Sequence, residues 1–351
     1  LALTEVPEVM DALHVSTRAH HALRRFSVRP YGGKGYLPTR EVVSLGPDGT
    51  QLVAVTPDGD DPSAAQVEVM DTATGVVSSR LSGLDRPTSV HWDHAAGEIV
   101  VGAEDGELSY WDPSSGMRRR TRTIDGTGFA VVEVVGPYLA YFTGLPDRAN
   151  SGDVAVTAVV EHSETGESVI VHESEPGAIV ESVRISPPGT SAIVLDTAGW
   201  MHVYDLTSGD LRFSTQVCPF AAMCVDWVAG TDAVWIKRDS GLTQLDLFSG
   251  EETAVPWRAD EASGALYGLP SASPDGRLLA VRAAGEIHVF DATSQPYELL
   301  WRVGAASDDV WLLEWLPGSD GFVSVDASDE AVVWDITDRR TSERSFEIGT
   351  Y

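Results

Sequence analysis

The stretch Leu108-Ser109-Tyr110-Trp111-Asp112-Pro113-Ser114-Ser115-Gly116 decides the reading of this chain. A mostly apolar run ends in an aspartate, and a short polar turn closes on glycine. The same pattern recurs at Val67–Gly75, Ala158–Gly166, Met201–Gly209, Leu242–Gly250, Ile287–Ser294 and Val332–Asp338. Counted from Asp71, successive copies lie 41, 50, 43, 41, 45 and 44 residues apart, with His162 standing at the Asp position of the third. Self-similarity at a fixed period of that length means an array of supersecondary units, each unable to bury its apolar face alone.

Upstream of the aspartate lies a second shared feature, an apolar strand ending in a turn. Val42-Val43-Ser44-Leu45-Gly46-Pro47-Asp48-Gly49 and Ser271-Ala272-Ser273-Pro274-Asp275-Gly276 are the clearest copies, with Ile185–Gly189 and Trp315–Gly321 as variants. Proline presets φ for the turn, Asp bonds back to the backbone, and Gly accepts a positive φ. Each turn feeds an apolar strand such as Gln51–Val55, Ala192–Leu195 or Arg277–Val281. Strand, turn, strand, turn, strand ending in Asp, turn, strand: each repeat is a four-stranded blade. Seven blades in register predict an all-β, seven-bladed β-propeller of four-stranded antiparallel sheets.

A strand–S-P-D-G–strand–strand–W-D unit resembles the WD-repeat family over residues 40 to 351. Trp111-Asp112 and Trp334-Asp335 are literal WD dipeptides; Met70-Asp71, Tyr204-Asp205, Leu245-Asp246 and Phe290-Asp291 are relaxed ones. The Gly-His dipeptide that opens a typical repeat is missing throughout. The resemblance therefore does not carry over that family's buried His–Ser/Thr–Asp network, and these blades are expected to rely more on apolar packing. In function, the resemblance implies a non-enzymatic interaction platform.

Residues 1–39 read as a lead-in. Val6, Val9, Met10, Leu13 and Val15 lie near one side at helical spacing, and Pro7 and Glu8 suit a first turn, so a short N-terminal helix is expected over 6–23. Arg24–Val28 then reads as a strand, followed by the Gly-rich Tyr31–Gly35. This lead-in resembles the junction before the propeller in bacterial multidomain signalling proteins, STAND-type ATPases and related regulators. Ring closure is expected through the C-terminus, with Thr341–Ile348 as the outer strand of blade seven; Arg24–Val28 is the rival for that slot.

The chain of 351 residues carries a formal net charge of −29. Such acidity repels phosphate backbones, and the one basic cluster, Met117–Arg122, reads as a charged outer strand that discourages edge pairing. No apolar run reaches the roughly 18 residues of a membrane helix. No nucleic-acid partner and no membrane insertion are expected. The sequence begins at Leu1 with no signal peptide visible, and reads as a fragment or processed product.

Cys218 and Cys224 lack the further ligands of a zinc site. They read as two small buried thiols, or as a disulfide in an oxidising compartment. A cytoplasmic location is expected, with export the alternative if the pair is bridged.

The chain holds no G-x-S-x-G elbow, H-E-x-x-H pair, P-loop or dinucleotide fingerprint. No catalytic residue, cofactor or metal site is assigned. His20 and His21 are read as solvated helix surface. Two long connections, one carrying Asp58, Asp60 and Asp61 and the other Asp147, Arg148, Asn150 and Asp153, are expected on one face, as loops that a partner would meet. The first does not match calcium-loop spacing and reads as a solvated turn. Counting back from each first turn places Ser44, His91, Arg184, Asp226, Ser271 and Glu314 on the central channel. Such a ring either binds a small polar ligand or peptide end, or is a self-satisfied polar lining. Trp92, Trp227 and Trp315 occupy the next position and read as packing between blades.

Two functions compete. The first is a protein-interaction or sensor platform, the propeller of a larger bacterial signalling protein, monomeric as this fragment, with a protein, a peptide or other domains of its own polypeptide as partner. The second is an exported propeller that binds or hydrolyses a small polar ligand at its acidic channel.

Overall fold

The computed structural model describes residues 22–27, 42–58, 61–124, 132–143, 156–174, 178–218, 224–238, 241–255, 270–283, 286–294, 296–304, 310–326 and 330–336. The described strands form seven four-stranded antiparallel sheets. Strand β1 (Ala22–Ser27) is the first of the described strands. Blade one follows with β2 (Val43–Leu45), β3 (Gln51–Asp58), β4 (Asp61–Asp71) and β5 (Val77–Leu81). Blade two holds β6 (Pro87–Asp93), β7 (Glu98–Ala103), β8 (Glu107–Trp111) and β9 (Arg118–Thr123). In blade three are β10 (Val132–Val135), β11 (Tyr138–Thr143), β12 (Thr157–His162) and β13 (Ser168–Glu173).

Blade four comprises β14 (Val180–Ile185), β15 (Ser191–Asp196), β16 (Trp200–Asp205) and β17 (Leu211–Gln216). Blade five has β18 (Val225–Trp227), β19 (Ala233–Arg238), β20 (Gly241–Asp246) and β21 (Glu252–Ala254). Blade six has β22 (Pro270–Ala272), β23 (Leu278–Ala283), β24 (Glu286–Asp291) and β25 (Glu298–Gly304). Blade seven takes β26 (Val310–Trp315), β27 (Gly321–Asp326) and β28 (Glu330–Asp335).

Burial follows position in the blade. Every residue of the second strands β7 and β15 is buried, while β9 and β21 at the outside are almost wholly exposed. The core lies between blades. Val289 and Trp301 of blade six pack with Trp315, Phe322 and Trp334 of blade seven, and Leu312, Val323 and Val333 of blade seven pack with blades one and two. The two literal WD tryptophans keep one polar bond each: Trp111 Nε1 donates to Ser109 Oγ at 2.8 Å, and Trp334 Nε1 to Ser324 Oγ at 2.7 Å.

Closure differs from expectation. The outer slot of blade seven is filled by β1, which runs antiparallel to β28 with Arg25 opposite Val332 and Phe26 opposite Ala331. Thr341–Ile348 lies outside the described residues, and the slot assigned to it is taken. The N-terminal and C-terminal segments alternate equally well, so pattern alone did not separate them. What separates them is that β1 hydrogen-bonds the start of the chain to its last blade, so the ring cannot open without breaking a strand ladder. The expected helix does not extend to 23, since Ala22 and Leu23 belong to β1; its earlier part, with His20 and His21, lies outside the described residues.

The expected connection through Asp58, Asp60 and Asp61 is also corrected. Ladder pairing continues through Thr56–Gln66 and Pro57–Ala65 to Asp58–Asp61, leaving only two residues between the strands. An Asp-Gly step at Asp58-Gly59 is a hairpin signal, and it outweighs the loop-like composition around it. Asp58 and Asp61 are therefore strand ends, while Asp60 lies outside the described residues.

Cys218 and Cys224 are joined by a disulfide, with Cα atoms 6.4 Å apart. The free-thiol reading is replaced for a topological reason. One cysteine follows the outer strand β17 and the other precedes the inner strand β18. The crossover between blades four and five brings both to one junction, within bridging range.

Candidate functional site: the axial cavity

The innermost strands of all seven blades surround a cavity of about 550 Å³. Ser44, His91, Arg184, Asp226, Ser271 and Glu314 all line it, each from a first strand. Glu133 of β10 completes the ring as the equivalent residue of blade three. Sequence counting missed it because blade three has neither an S-P-D-G-like turn nor the tryptophan that follows His91 and Asp226. Its turn is Gly136-Pro137, and the signal available was the Val132-Glu133-Val134-Val135 run just before that pair.

These side chains cross from blade to blade. Ser44 Oγ accepts from Trp92 N of blade two at 3.0 Å. His91 Nε2 meets the Val134 carbonyl of blade three at 2.9 Å, which requires the Nε2–H tautomer. Glu133 Oε2 accepts from Ile185 N of blade four at 2.7 Å. Arg184 Nη1 donates to Asp226 Oδ1 of blade five at 2.9 Å. Ser271 Oγ donates to the Leu313 carbonyl of blade seven at 3.3 Å, and Glu314 Oε1 accepts from Leu45 N of blade one at 3.3 Å. One structural position thus bridges six junctions among the described residues, most often side chain to backbone of the next inner strand. Desolvation pulls the His91 pKa down to about 4, so the imidazole is neutral near pH 7 and can donate to a carbonyl.

The neighbouring tryptophans back this belt. Trp92, Trp227 and Trp315 are all buried, and Trp315 Nε1 donates to the Ser271 carbonyl at 2.8 Å, again across a junction. Polar side chains at this one position tie the inner strands across six of the seven junctions, and the sequence holds no Gly-His dipeptide.

The outer turns are built differently. Asp71, Asp112, Asp205, Asp246 and Asp291 each accept backbone N–H groups two or three residues on through Oδ1, at 2.7–3.1 Å. Hydrogen bonding to the charged form holds all five carboxyls below the usual aspartate range. In blade three His162 supplies only the backbone part of this turn, its carbonyl accepting from Gly166 N at 2.8 Å.

The arginine run of β9 is neutralised in place. Arg118 pairs with Glu107 at 3.1 Å, and Arg119 and Arg120 pair with Glu98 at 3.0 and 2.8 Å. Arg122 reaches across to the buried Glu161 of blade three, which also accepts from Tyr141 Oη at 3.0 Å. The guanidinium of Arg120 stacks 3.8 Å from the Tyr110 ring centre.

Asp147, Arg148, Asn150 and Asp153 lie outside the described residues. Among the described residues, no group of three or more His, Cys, Asp or Glu is placed to hold a metal ion, and no helix is long and apolar enough to cross a membrane.

No protein-family model matches this chain, and no curated protein matches it. Solved structures do. A chain of the crystal structure of the Mitotic Checkpoint Complex superposes with a TM-score of 0.65 at 12% identity, covering 90% of this chain and 95% of that one. The β-propeller domain of Myceliophteria thermophila Cps50 (Swd1) superposes with a TM-score of 0.60 at 12% identity, covering 87% of this chain and 100% of that one. At such identity the likeness is one of fold: this chain is a seven-bladed β-propeller.

Proposed function

We propose that this protein is a non-enzymatic protein-interaction platform, the propeller part of a larger bacterial signalling protein. The carrying observation is the axial belt. The side chains best placed to greet a small ligand in the channel are engaged in bonds between blades, which leaves recognition to the faces and the outer rim. Propellers of similar fold occur in protein complexes, as the checkpoint-complex structure illustrates, and that supports the reading. The signalling context rests on the lead-in before the propeller.

The test is capture with the purified chain in its native host, run beside small-molecule profiling of the same protein. A recurrent protein partner, unaffected by Ser271→Ala in the channel, is the expected result. A small polar metabolite that copurifies and is lost in Ser271→Ala or His91→Gln would overturn it.

The Cys218–Cys224 disulfide favours a second reading, an exported propeller with a polar ligand, because such bonds persist in oxidising compartments. Non-reducing intact mass of the native protein decides between them. A bridged pair, lighter by two hydrogens, supports export; free thiols support the platform in a reducing cytoplasm.

A further inference from the structure

Each of the seven sheets ends on an outer strand whose far edge pairs with no described strand, and such an edge is a template for pairing unless something blunts it. Six are blunted. Arg80 sits on β5, four arginines on β9, Arg212 on β17, Arg302 on β25 and Arg24-Arg25 on β1, while β21 is only three residues long. Strand β13 carries neither Lys, Arg nor Pro. Its sequence is Ser168-Val169-Ile170-Val171-His172-Glu173, and Val171 is 61% exposed. On one side it pairs with β12, and no described strand pairs with its other edge. The blade-four turn at Gly209 presses on the Val169 carbonyl, so the open stretch starts at Ile170.

We propose that the outer edge of β13 is a docking site for an extended segment of another protein, added as a fifth strand to blade three, apolar in its middle and basic at its ends. The inference rests on the platform reading and names its partner class. Addition of a strand draws affinity from main-chain hydrogen bonds and specificity from alternate side chains. Val171 supplies the apolar contact, since Ile170 is 2% exposed and packs into the core between blades three and four. Exposed Glu173 ends the open stretch, exposed Glu167 stands in the turn before β13, and the chain carries a net charge of −29. Both features select basic flanks. The same charge argues against a second copy of this chain as occupant, since two such surfaces repel.

The probe is a short labelled peptide of alternating valine and threonine with lysines at both ends, titrated against the full chain by fluorescence anisotropy. Its control carries proline at the central valine, which removes a ladder donor. Saturable binding of the first peptide and none of the second is expected. Val171→Lys, a charge of the kind that guards the other edges, should weaken binding about tenfold or more. Glu173→Gln should weaken it by about two- to fivefold, the scale of one cross-strand pair. Gln216→Lys at the end of the outer strand of blade four should leave it unchanged. Circular dichroism and melting of each variant verify that the fold is kept. Absence of binding, equal binding of the proline peptide, or indifference to Val171→Lys overturns the proposal. If the edge fails while the host partner is still captured, the platform stands without this site; if capture fails as well, the platform itself falls.

Discussion

At the axis, Ser44, His91, Glu133, Arg184, Ser271 and Glu314 reach out of their own blade and bond to the next one, while at the rim Asp71, Asp112, Asp205, Asp246 and Asp291 fold back onto their own turns. The first set holds blades to each other and sits in the cavity wall. The second shapes single hairpins in solvent. A lost axial bond leaves a shielded backbone group without its partner, which costs more than a lost turn bond that water replaces. Stability should therefore be spent unevenly, heavily at junctions and lightly at turns.

The largest effect should come from opening the ring. Deleting residues 1–27 removes β1 and strips the ladder from β28. Thermal melting of that truncation should fall further than for any single substitution, with loss of the single cooperative transition. A truncation that melts like the parent would mean that β1 is dispensable for closure.

Next comes the junction of blades six and seven. Trp315 is 6% exposed and packs against Phe322, with ring centres 5.4 Å apart. Trp315→Ala should cost about 3–5 kcal/mol in chemical denaturation, the range for a buried aromatic truncation. Glu133→Ala, which removes the acceptor for Ile185 N, should cost about 1–3 kcal/mol. If Asp246→Ala at the rim costs as much as Glu133→Ala, the contrast between axis and rim is wrong.

How much of this could be read in advance depends on turn chemistry. S-P-D-G-like turns fixed the register for Ser44, Arg184, Ser271 and Glu314, and a following tryptophan marks His91 and Asp226; blade three has neither sign, and the miss at Glu133 fell there. The rim aspartates declared themselves through their spacing to glycine. Closure was hidden because strand alternation says which residues share a face and nothing about which neighbour they join. The unguarded edge of β13 was equally hidden, since an edge exists only once sheet order is known. The bonds of the axial ring depend on the relative rise of adjacent blades, which no local pattern encodes.

Acid should separate the two regions by pH. His91 is held at about 4 in the fold against an unfolded value near 6.5, so the unfolded chain takes up a proton first. Stability from a neutral axial imidazole is thus full above about pH 6.5 and declines as pH falls toward 4. Burial lowers the His288 pKa as well, adding a second contribution of the same sign. The rim aspartates are depressed below their unfolded value of about 3.9, so their contribution persists above that pH and is lost only below it. Melting followed from pH 7 to 3 should fall in two stages. His91→Gln should flatten the upper stage and leave the lower one untouched; a variant with the parental upper slope would remove His91 from the account.

The smallest effect is a gain. The first turns of blades one, four and six each place glycine at a φ near +70°: Gly49, Gly189 and Gly276, whose N–H groups bond to Gly46, Ser186 and Ser273 carbonyls. Blade seven builds the same turn one step off its glycines. Ser319 takes the left-handed position at φ +57°, its N–H bonding to the Leu316 carbonyl at 2.9 Å, while Gly318 and Gly321 flank it. A left-handed conformation costs an L-residue about 1–2 kcal/mol, so Ser319→Gly should recover part of that. Two terms work against the gain. Glycine raises the entropy of the unfolded chain by about 0.4–1 kcal/mol, and the weak acceptor that Ser319 Oγ offers to Asp275 N at 3.3 Å is lost. The balance is a stabilisation of at most about 1 kcal/mol, read as a higher denaturant midpoint at unchanged slope. Gly49→Ala in blade one should show the opposite sign, because its Cβ would stand 2.9 Å from Pro317 Cδ as well as at positive φ. A loss of stability in Ser319→Gly would show that the serine's bond across the junction with blade six outweighs its backbone strain, extending the axial pattern of interblade bonding outward to the turns.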